Sequence, residues 1–127
     1  ERIIEYYLIK TVPPDEYITF ISERKKVSVR TDSILLVESR DSEVLIRMAD
    51  QTAYRTKMKI SQWESVLDDR FIRVHRSYIV QAQKIKVIER NRIVFGKAYI
   101  PISDNYKPRF MEFLSQRSLL PKGKDSL

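Results

Sequence analysis

Short runs of hydrophobic residues, separated by polar turn signals, predict a chain made mainly of β-strands. Apolar, β-branched or aromatic runs occupy residues 17–21, 34–37, 44–48, 71–72, 78–80, 85–88, 93–95 and 98–100, and shorter alternating segments contain Val27, Val29, Tyr54 and Thr56. Asn91-Arg92 and Gly96-Lys97 fit tight turns between the last strands, and the polar bend at residues 40–42 predicts a hairpin. The uninterrupted run at residues 34–37 predicts a strand that is buried on both faces.

A first helix is predicted where the strand pattern breaks after residue 59. Ile60, Trp63 and Leu67 lie at spacings i, i+3 and i+7, so they share one helical face that would pack on the core. Ser61 and Glu64 match a capping box, in which the serine accepts from the amide three residues on and the glutamate reaches back. Trp63 is therefore interpreted as a core residue.

A second helix is predicted over residues 105–116, where Tyr106, Phe110, Phe113 and Leu114 form one apolar stripe. Pro108 constrains where this helix begins. With Asn105 as the N-cap, Pro108 falls in the first turn, where its missing N–H donor costs no hydrogen bond. The whole pattern therefore predicts a mainly β domain with two short helices.

The two ends of the chain differ from this middle part. Residues 1–14 are predicted to be a connector from an upstream region, since the chain starts at Glu1 without methionine and Pro13-Pro14 ends any helix. A dimerising helix is the alternative for this segment, because Ile3, Ile4, Tyr7 and Leu8 share one helical face. Residues 15–117 are predicted to form the domain, and the polar residues 118–127 a flexible tail.

Composition narrows the function classes. The chain has no cysteine, one histidine and two glycines, which excludes disulfides, thiolate metal sites and a glycine loop for phosphates. With 43% hydrophobic residues it can bury a core. No apolar run approaches the roughly 20 residues that a membrane span needs. Because no nucleophile–base pair, metal cluster or carboxylate pair stands out, we expect neither an enzyme nor a cofactor.

The positive charge is concentrated in one part of the chain. The net charge is +7, yet residues 1–69 carry a net charge of −2, with 11 basic and 13 acidic side chains. Residues 70–109 carry ten basic and two acidic side chains, a net charge of +8. Such a block indicates a polyanionic partner, nucleic acid or anionic lipid, and the alternative is a set of solvated strand faces.

The segment of residues 69–80, DRFIRVHRSYIV, groups a guanidinium, an imidazole and a hydroxyl between two strand fragments. Arg76 can donate two parallel hydrogen bonds to phosphate or to the acceptor pair of guanine. A structural salt bridge from Arg76 to Asp69 or Glu38 is an equally good alternative. For His75 we expect a buried, hydrogen-bonded histidine that stabilises the bend rather than a catalyst. For Glu38 we expect a role in orienting the bend through Arg73 or Arg76.

Three separated blocks also carry a resemblance to a known family. Residues 32–39 (DSILLVES) resemble a D-I-x-Y-I-E-S strand, residues 71–80 (FIRVHRSYIV) an F-x-R-V-H-R-S-Y-I-V-N run, and residues 100–106 (IPISDNY) a terminal I-P-V-S-R-x-Y. These motifs, in this order and spacing across about residues 17 to 115, are typical of the LytTR family. LytTR domains are the DNA-binding output domains of many bacterial two-component response regulators.

The resemblance implies a compact fold of about ten short antiparallel strands in stacked sheets with two short helices. It also implies that loops at the sheet ends, rather than a recognition helix, enter the major groove. Arg76 matches the base-contacting position, and residues 40–43 and 103–107 match two further contacting loops. Together with the basic block, the predicted DNA-binding residues are Arg40, Ser42, Arg73, Arg76, Ser77, Lys84, Ser103, Lys107 and Arg109.

Two positions depart from the family pattern. Asp104 stands where the family commonly has arginine or lysine, and Gln81 replaces the asparagine of the diagnostic run. A carboxylate cannot bind phosphate, although it can accept from a cytosine amine. The third loop is therefore expected to contribute less affinity, or to leave phosphate contacts to Lys107 and Arg109.

We therefore expect sequence-specific binding of double-stranded DNA for transcriptional regulation, in the bacterial cytoplasm. The expected partners are paired DNA half-sites, a second copy of the chain on DNA, and an upstream receiver domain or membrane segment, which would tether the domain at the inner face of the membrane. The alternative is a non-enzymatic β-rich interaction module whose basic face docks an acidic partner. Salt-dependent binding to duplex DNA distinguishes the two.

Overall fold

A computed structural model of the protein describes residues 16–116, which form ten strands and two helices. The connector predicted at residues 1–14 and the tail predicted at residues 118–127 lie outside this range. The elements, in chain order, are β1 (Tyr17–Ser22), β2 (Lys25–Arg30), β3 (Ile34–Arg40), β4 (Glu43–Met48), β5 (Ala53–Thr56), α1 (Ile60–Val66), β6 (Phe71–His75), β7 (Tyr78–Gln81), β8 (Val87–Glu89), β9 (Arg92–Phe95), β10 (Ala98–Pro101) and α2 (Lys107–Ser115).

The strands form three antiparallel sheets. The largest has the order β5-β4-β3-β7-β6, and a three-stranded sheet has the order β10-β9-β8, while β1 and β2 form a hairpin. β7 follows α1 and β6 in the chain but lies beside β3. The pairing of β3 with β7 therefore joins two strands that are far apart in the sequence. The mainly β fold with two short helices is confirmed.

The centre of the large sheet is β3, the strand predicted to be buried on both faces. Its register shifts between Ile34 and Leu36, which is a β-bulge. After the bulge, alternate side chains point to opposite faces, so Leu36 joins one core cluster while Val37 joins the other. Ile34, Leu36 and Val37 are all essentially inaccessible to solvent, which confirms the prediction.

One face of the large sheet is covered by the β1–β2 hairpin and α1. Phe20 of the hairpin packs edge-on against Trp63 of α1, with ring centroids 5.1 Å apart, and both side chains are buried. Val37, Ile46 and Ile79 of the sheet belong to the same cluster. Trp63 is therefore a core residue, as its helical spacing predicted.

The other face of the large sheet is covered by the three-stranded sheet and α2. Ile93 and Ile100 of that sheet and Phe110 of α2 form a second cluster with Leu36 and Val80. Ile93 and Phe110 have no exposed side-chain surface, so α2 is held by its central aromatic residue. The molecule is thus three layers deep, which confirms the stacked sheets.

The N-cap residues of both helices differ from the predicted ones, by two positions in α1 and by one position in α2. α1 is capped at Lys59, whose backbone N–H donates to the Gln62 side chain at 2.8 Å, so the predicted Ser61–Glu64 capping box is wrong. The reason is that Ile60 is buried and lies inside the first turn, while Glu64 pairs elsewhere. α2 is capped at Tyr106 rather than Asn105, with Pro108 in the first turn as predicted.

The late hairpins differ from the predicted turns by one or two residues. Arg90 and Asn91 both have positive φ, 51° and 63°, so the β8–β9 turn lies one residue before the predicted Asn91-Arg92. Such a two-residue turn needs positive φ at both positions. The strand predicted at residues 85–88 is shifted to Val87–Glu89, because a 3-10 turn at Ala82–Lys84 extends the connection before it. The Gly96-Lys97 turn is confirmed.

Candidate nucleic-acid interface

Two of the three predicted loops lie side by side because the strands that carry them are neighbours in the large sheet. Glu38 of β3 pairs with Tyr78 of β7, and beyond that pair the Ser39 N–H donates to the Ser77 carbonyl at 2.8 Å. The β3–β4 turn at residues 40–43 and the β6–β7 turn at residues 75–78 therefore meet at the same end of the sheet.

The third loop, predicted at residues 103–107, is hydrogen-bonded to the same region through Ser103 and the residue before it. The Ser103 N–H donates to the Val74 carbonyl of β6, and the Ile102 N–H donates to the Asn91 carbonyl of the β8–β9 turn, both at 3.0 Å. These bonds join loops from three parts of the chain into one surface. We call this surface the loop end and define it as residues 40–43, 75–78, 90–91 and 103–106.

Arg76 is the most exposed cation of the β6–β7 turn. Its side chain makes no hydrogen bond or ion pair within residues 16–116, so the predicted alternative of a salt bridge to Asp69 or Glu38 is wrong. Glu38 is buried near the end of β3, and its carboxylate binds Arg40 and Arg47 instead. Arg76 is thus free to bind an anion or a base edge from solvent.

Arg73, three residues earlier, is committed to internal contacts. One terminal guanidinium nitrogen binds the Glu64 carboxylate of α1 at 2.8 Å, the other donates to the Arg76 carbonyl, and Nε donates to the His75 carbonyl at 3.3 Å. The guanidinium also lies 5.8 Å from the Tyr106 ring centroid. With 15% of its side chain exposed, Arg73 holds the β6–β7 turn, α1 and the third loop together.

The side chain of His75 stabilises the same turn by binding a backbone N–H of that turn. Its Nδ1 accepts the Ser77 N–H at 3.1 Å, so the neutral ring must carry its proton on Nε2. Burial lowers the pKa of His75, and the nearby positive charges of Arg76 and Arg73 lower it further. The ring packs edge-on against Tyr78 at 5.5 Å. A hydrogen-bonded histidine was expected here, although this one is half-buried rather than fully buried.

Glu38 does not orient the turn through Arg73 or Arg76, and that prediction is wrong. Its two carboxylate oxygens bind the Nε atoms of Arg40 at 2.9 Å and Arg47 at 3.1 Å. Both are close, charge-assisted contacts. The cause is sheet register: residues two apart in a strand share a face, and Arg47 is carried next to Glu38 by the β3–β4 pairing. Glu38 raises the pKa of Arg40 and fixes that side chain at the tip of β3.

Seven of the nine predicted site residues lie at the loop end or next to it, and the other two lie elsewhere. Six lie at the loop end or border it directly: Arg40, Ser42, Arg73, Arg76, Ser77 and Ser103. Lys107 starts α2 immediately after the third loop. Lys84 lies in the 3-10 turn that follows β7, at the opposite end of the sheet. Arg109 lines a groove of about 400 Å³ together with four acidic residues, Glu64, Asp68, Asp69 and Glu112.

The loop end also carries acidic residues, and it includes one cation that the sequence did not single out. Asp41 and Asp104 are exposed there, while Glu43 faces Arg55 at 3.9 Å. Arg90 is exposed in the β8–β9 turn, whose next residue is hydrogen-bonded to the third loop. In the sequence, only the position of Arg90 within the basic block of residues 70–109 pointed to a binding role. The long-range hydrogen bond from Ile102 to Asn91, which places Arg90 at the loop end, cannot be predicted from local patterns.

Residues 16–116 contain no cluster of acidic and histidine side chains arranged to hold a metal ion. Neither helix in this part of the chain has the length and apolar character of a membrane span. The loop end presents guanidinium groups, hydroxyls and backbone amides, which act through hydrogen bonding and charge.

Comparison with known proteins gives one family and one fold. The sequence profile of the LytTr DNA-binding domain family matches residues 10–115. Among solved structures, the chain resembles the LytTr DNA-binding domain of a DNA response regulator from Bacillus cereus, with a TM-score of 0.65 and 21% identity, over 76% of this chain and 94% of the other. A search of curated proteins finds no match.

Proposed function

Because the chain belongs to the LytTr DNA-binding domain family, we propose that its loop end binds double-stranded DNA in a sequence-specific manner to regulate transcription. DNA binding itself follows from family membership, while the surface, the sequence preference and the regulatory role are the proposal. The observation that supports it most directly is Arg76, an exposed and unpaired guanidinium on a turn whose backbone is fixed from three directions.

Within this proposal Arg76 contacts the edge of a base, and the residues around it bind the phosphate backbone of the DNA. A guanidinium that projects from a fixed turn can donate in parallel to the O6 and N7 atoms of guanine. Arg40, Arg90 and Lys107 supply positive charge around it for phosphates, and the hydroxyls of Ser42, Ser77 and Ser103 can donate to phosphate oxygens. Arg73 acts through the turn that it positions, because the three nitrogens of its guanidinium group already have protein partners.

The third loop contributes differently from the other two in this proposal. Asp104 is exposed at the position where the family commonly has a cation, so this loop repels phosphate at that point. A carboxylate can instead accept a hydrogen bond from the exocyclic amine of cytosine. The loop thereby favours a cytosine-containing strand and depends on Lys107 for backbone contact.

We propose further that the domain is the output domain of a cytoplasmic response regulator. On this proposal two copies bind paired half-sites, and an upstream receiver domain or membrane segment controls their pairing. The small size of the loop end supports a requirement for two copies, because three short loops offer only a few base contacts for one domain.

The proposed function is tested with DNA selected from random duplexes by the protein. Arg76→Ala should weaken binding to the selected duplex by about 1–3 kcal/mol and relax the preference at one base position. Arg24→Ala is the matched control, because Arg24 is exposed at the β1–β2 turn, outside the loop end. If no sequence preference emerges from selection, or both variants bind like the wild type, the proposal is wrong.

A further inference from the structure

A second basic surface lies between the large sheet and the three-stranded sheet, away from the loop end. It is an open groove of about 830 Å³. Lys84, Lys86, Lys97 and Arg47 line it from the β7–β8 connection, the β9–β10 turn and β4. None of the described residues that line it carries a carboxylate. We call it the lysine groove.

The lysine groove is at the opposite end of the strands from the loop end. Gln81 at the end of β7 donates to the Ile34 carbonyl at 2.7 Å, so the Lys84 turn lies near the start of β3, whereas Arg40 ends that strand. Likewise Gly96 and Lys97 turn at the far end of β9, whose first residue follows the β8–β9 turn. The lysine turns and Arg40 lie at opposite ends of β3, whose seven residues span about 20 Å, while Arg47 of the groove also contacts Glu38, two residues before Arg40.

The charges of the three lysines of the groove are not neutralised by the rest of residues 16–116. Lys84, Lys86 and Lys97 form no ion pair or side-chain hydrogen bond in this part of the chain. Arg47 shares Glu38 with Arg40 through its Nε, so its two terminal nitrogens remain available. The nearest turn carboxylate, Asp50, accepts hydrogen bonds from the backbone and hydroxyl of Thr52. Like charges held together without counter-charges attract an anion.

The walls of the groove are apolar, so an anionic ligand that also carries apolar groups fits it better than one that carries only charge. Leu35, Val94 and Phe95 are only half-buried there, and Ala98 is exposed. A nucleic-acid backbone offers only its sugars to cover these side chains, and Phe95 is the one aromatic ring among the lining residues, which is too few to stack a run of bases. A peptide that carries both carboxylates and aliphatic side chains matches the cationic rim and the apolar walls at once.

We propose that the lysine groove binds an acidic peptide segment with apolar side chains from a partner protein. The segment lies between the two sheets, its carboxylates meet the three lysines and Arg47, and its apolar side chains cover Leu35, Val94 and Phe95. Because the groove is far from the loop end, the protein can hold the peptide and a DNA duplex at the same time. The proposal does not depend on how the loop end reads DNA.

The probe for the experiment is a fluorescein-labelled synthetic peptide of repeating Asp-Glu-Leu units, and binding is measured by fluorescence anisotropy with the full chain. The triple variant K84Q/K86Q/K97Q should raise the Kd for this peptide about tenfold, since three exposed charge pairs together contribute roughly 1.4 kcal/mol. A peptide in which serine replaces each leucine should bind more weakly to the wild type, because it leaves the apolar walls uncovered.

The matched control is K25Q/K26Q/K57Q, which removes the same charge from exposed lysines outside the groove. It should leave the peptide Kd within about twofold of the wild type, and both triple variants should bind a selected duplex equally well. Equal loss of peptide binding in the two variants, or no peptide binding by the wild type, overturns the proposal. So does a loss of duplex binding confined to K84Q/K86Q/K97Q, which would make the groove a DNA surface.

Discussion

Arg73 and Arg76 stand three positions apart in one turn, yet their guanidinium groups face different environments. Arg73 is turned inward, where Glu64 and two backbone carbonyls occupy its donors. Arg76 is turned outward, with no partner in the described part of the chain. The inward arginine fixes the backbone from which the outward one projects. At the residue scale, therefore, one positive charge positions the other.

Arg73→Ala should lower the free energy of unfolding by about 2 kcal/mol, because the substitution removes charge-assisted hydrogen bonds to Glu64 and to the turn. Arg73→Lys should lower it nearly as much, since an ammonium group cannot reproduce the planar set of donors. Urea unfolding without DNA measures both effects.

Arg55→Ala serves as the control for this prediction, because Arg55 is 65% exposed and 3.9 Å from Glu43. It should change stability by less than about 0.5 kcal/mol. A direct DNA contact would behave in the opposite way: Arg73→Ala would then weaken DNA binding and leave the unfolding curve unchanged, and the positioning role would be rejected.

His75 should make the stability of the protein depend on pH in a mildly acidic window, below about pH 6.5. Its pKa is lowered in the folded state by burial and by Arg76 and Arg73, whereas in the unfolded chain it is about 6.5. Below about pH 6.5 the unfolded state therefore binds protons more readily, and stability falls as the pH drops towards the folded pKa. Thermal unfolding across this pH range measures the slope.

His75→Asn provides the comparison, because the asparagine carbonyl can accept the Ser77 N–H without titrating. Its stability should be nearly constant across the same window. Asp50 and Asp68, whose pKa values are lowered by hydrogen bonds to Thr52 and Arg70, change stability only in more acidic solution. If wild type and variant show the same slope, His75 is not its cause.

At the scale of elements, the turns store more strain than the strands. Several residues poorly suited to positive φ adopt it, among them Gln51 at 78° and Arg90 at 51°, whereas Asn91 and Gly96 are suited to that conformation. Left-handed backbone costs most other residues roughly 1–2 kcal/mol. Strand pairing and the two cores therefore hold the turns whose residues do not favour this backbone.

Gly96→Ala should destabilise the protein by about 1 kcal/mol, because φ is 61° there. The added Cβ would meet no atom within 4 Å, so the cost comes from the backbone alone. Gln51→Gly should act in the opposite direction and by less, since glycine also loses more entropy on folding. Urea unfolding of both variants checks the pair, and equal signs would contradict it.

Local patterns predicted which segments become strands and helices, but long-range contacts determined the details. The apolar run of β3 and the stripe around Phe110 are visible in the sequence because burial imposes them. The cap of α1 moved because Ile60 had to enter the core. The pairing of Glu38 with Arg47 follows from sheet register, and no local pattern specifies which strands become neighbours.

In the candidate site, too, local patterns located the segment, but long-range contacts determined the role of each residue. The motif around Arg76 identified the turn, yet nothing local distinguished the inward Arg73 from the outward Arg76. Lys84 was grouped with them because it lies only eight positions beyond Arg76 in the chain. β7 runs between the two and carries Lys84 to the other end of the sheet. A position in the basic block therefore does not specify a position on the surface.

At the scale of the whole molecule, two groups of cations lie on two separate surfaces. Arg40, Arg76 and Arg90 belong to the loop end, and Lys84, Lys86 and Lys97 to the lysine groove. Only charges that contact phosphates release counterions from DNA when the complex forms. The salt dependence of DNA binding should therefore report on one end only.

Arg76→Gln should reduce the slope of log K against log salt concentration by about 1 if Arg76 also neutralises a phosphate, and by less if it binds only a base edge. Arg40→Gln should reduce the slope by about 1 in either case, because 60% of that side chain is exposed at the tip of β3. Lys84→Gln removes the same charge from the same chain and should leave the slope unchanged. Titrations of one selected duplex at four salt concentrations give all three slopes. An equal reduction for Lys84→Gln and Arg40→Gln would mean that the whole basic surface contacts DNA, and the separation of the two ends would fail as an account of this charge distribution.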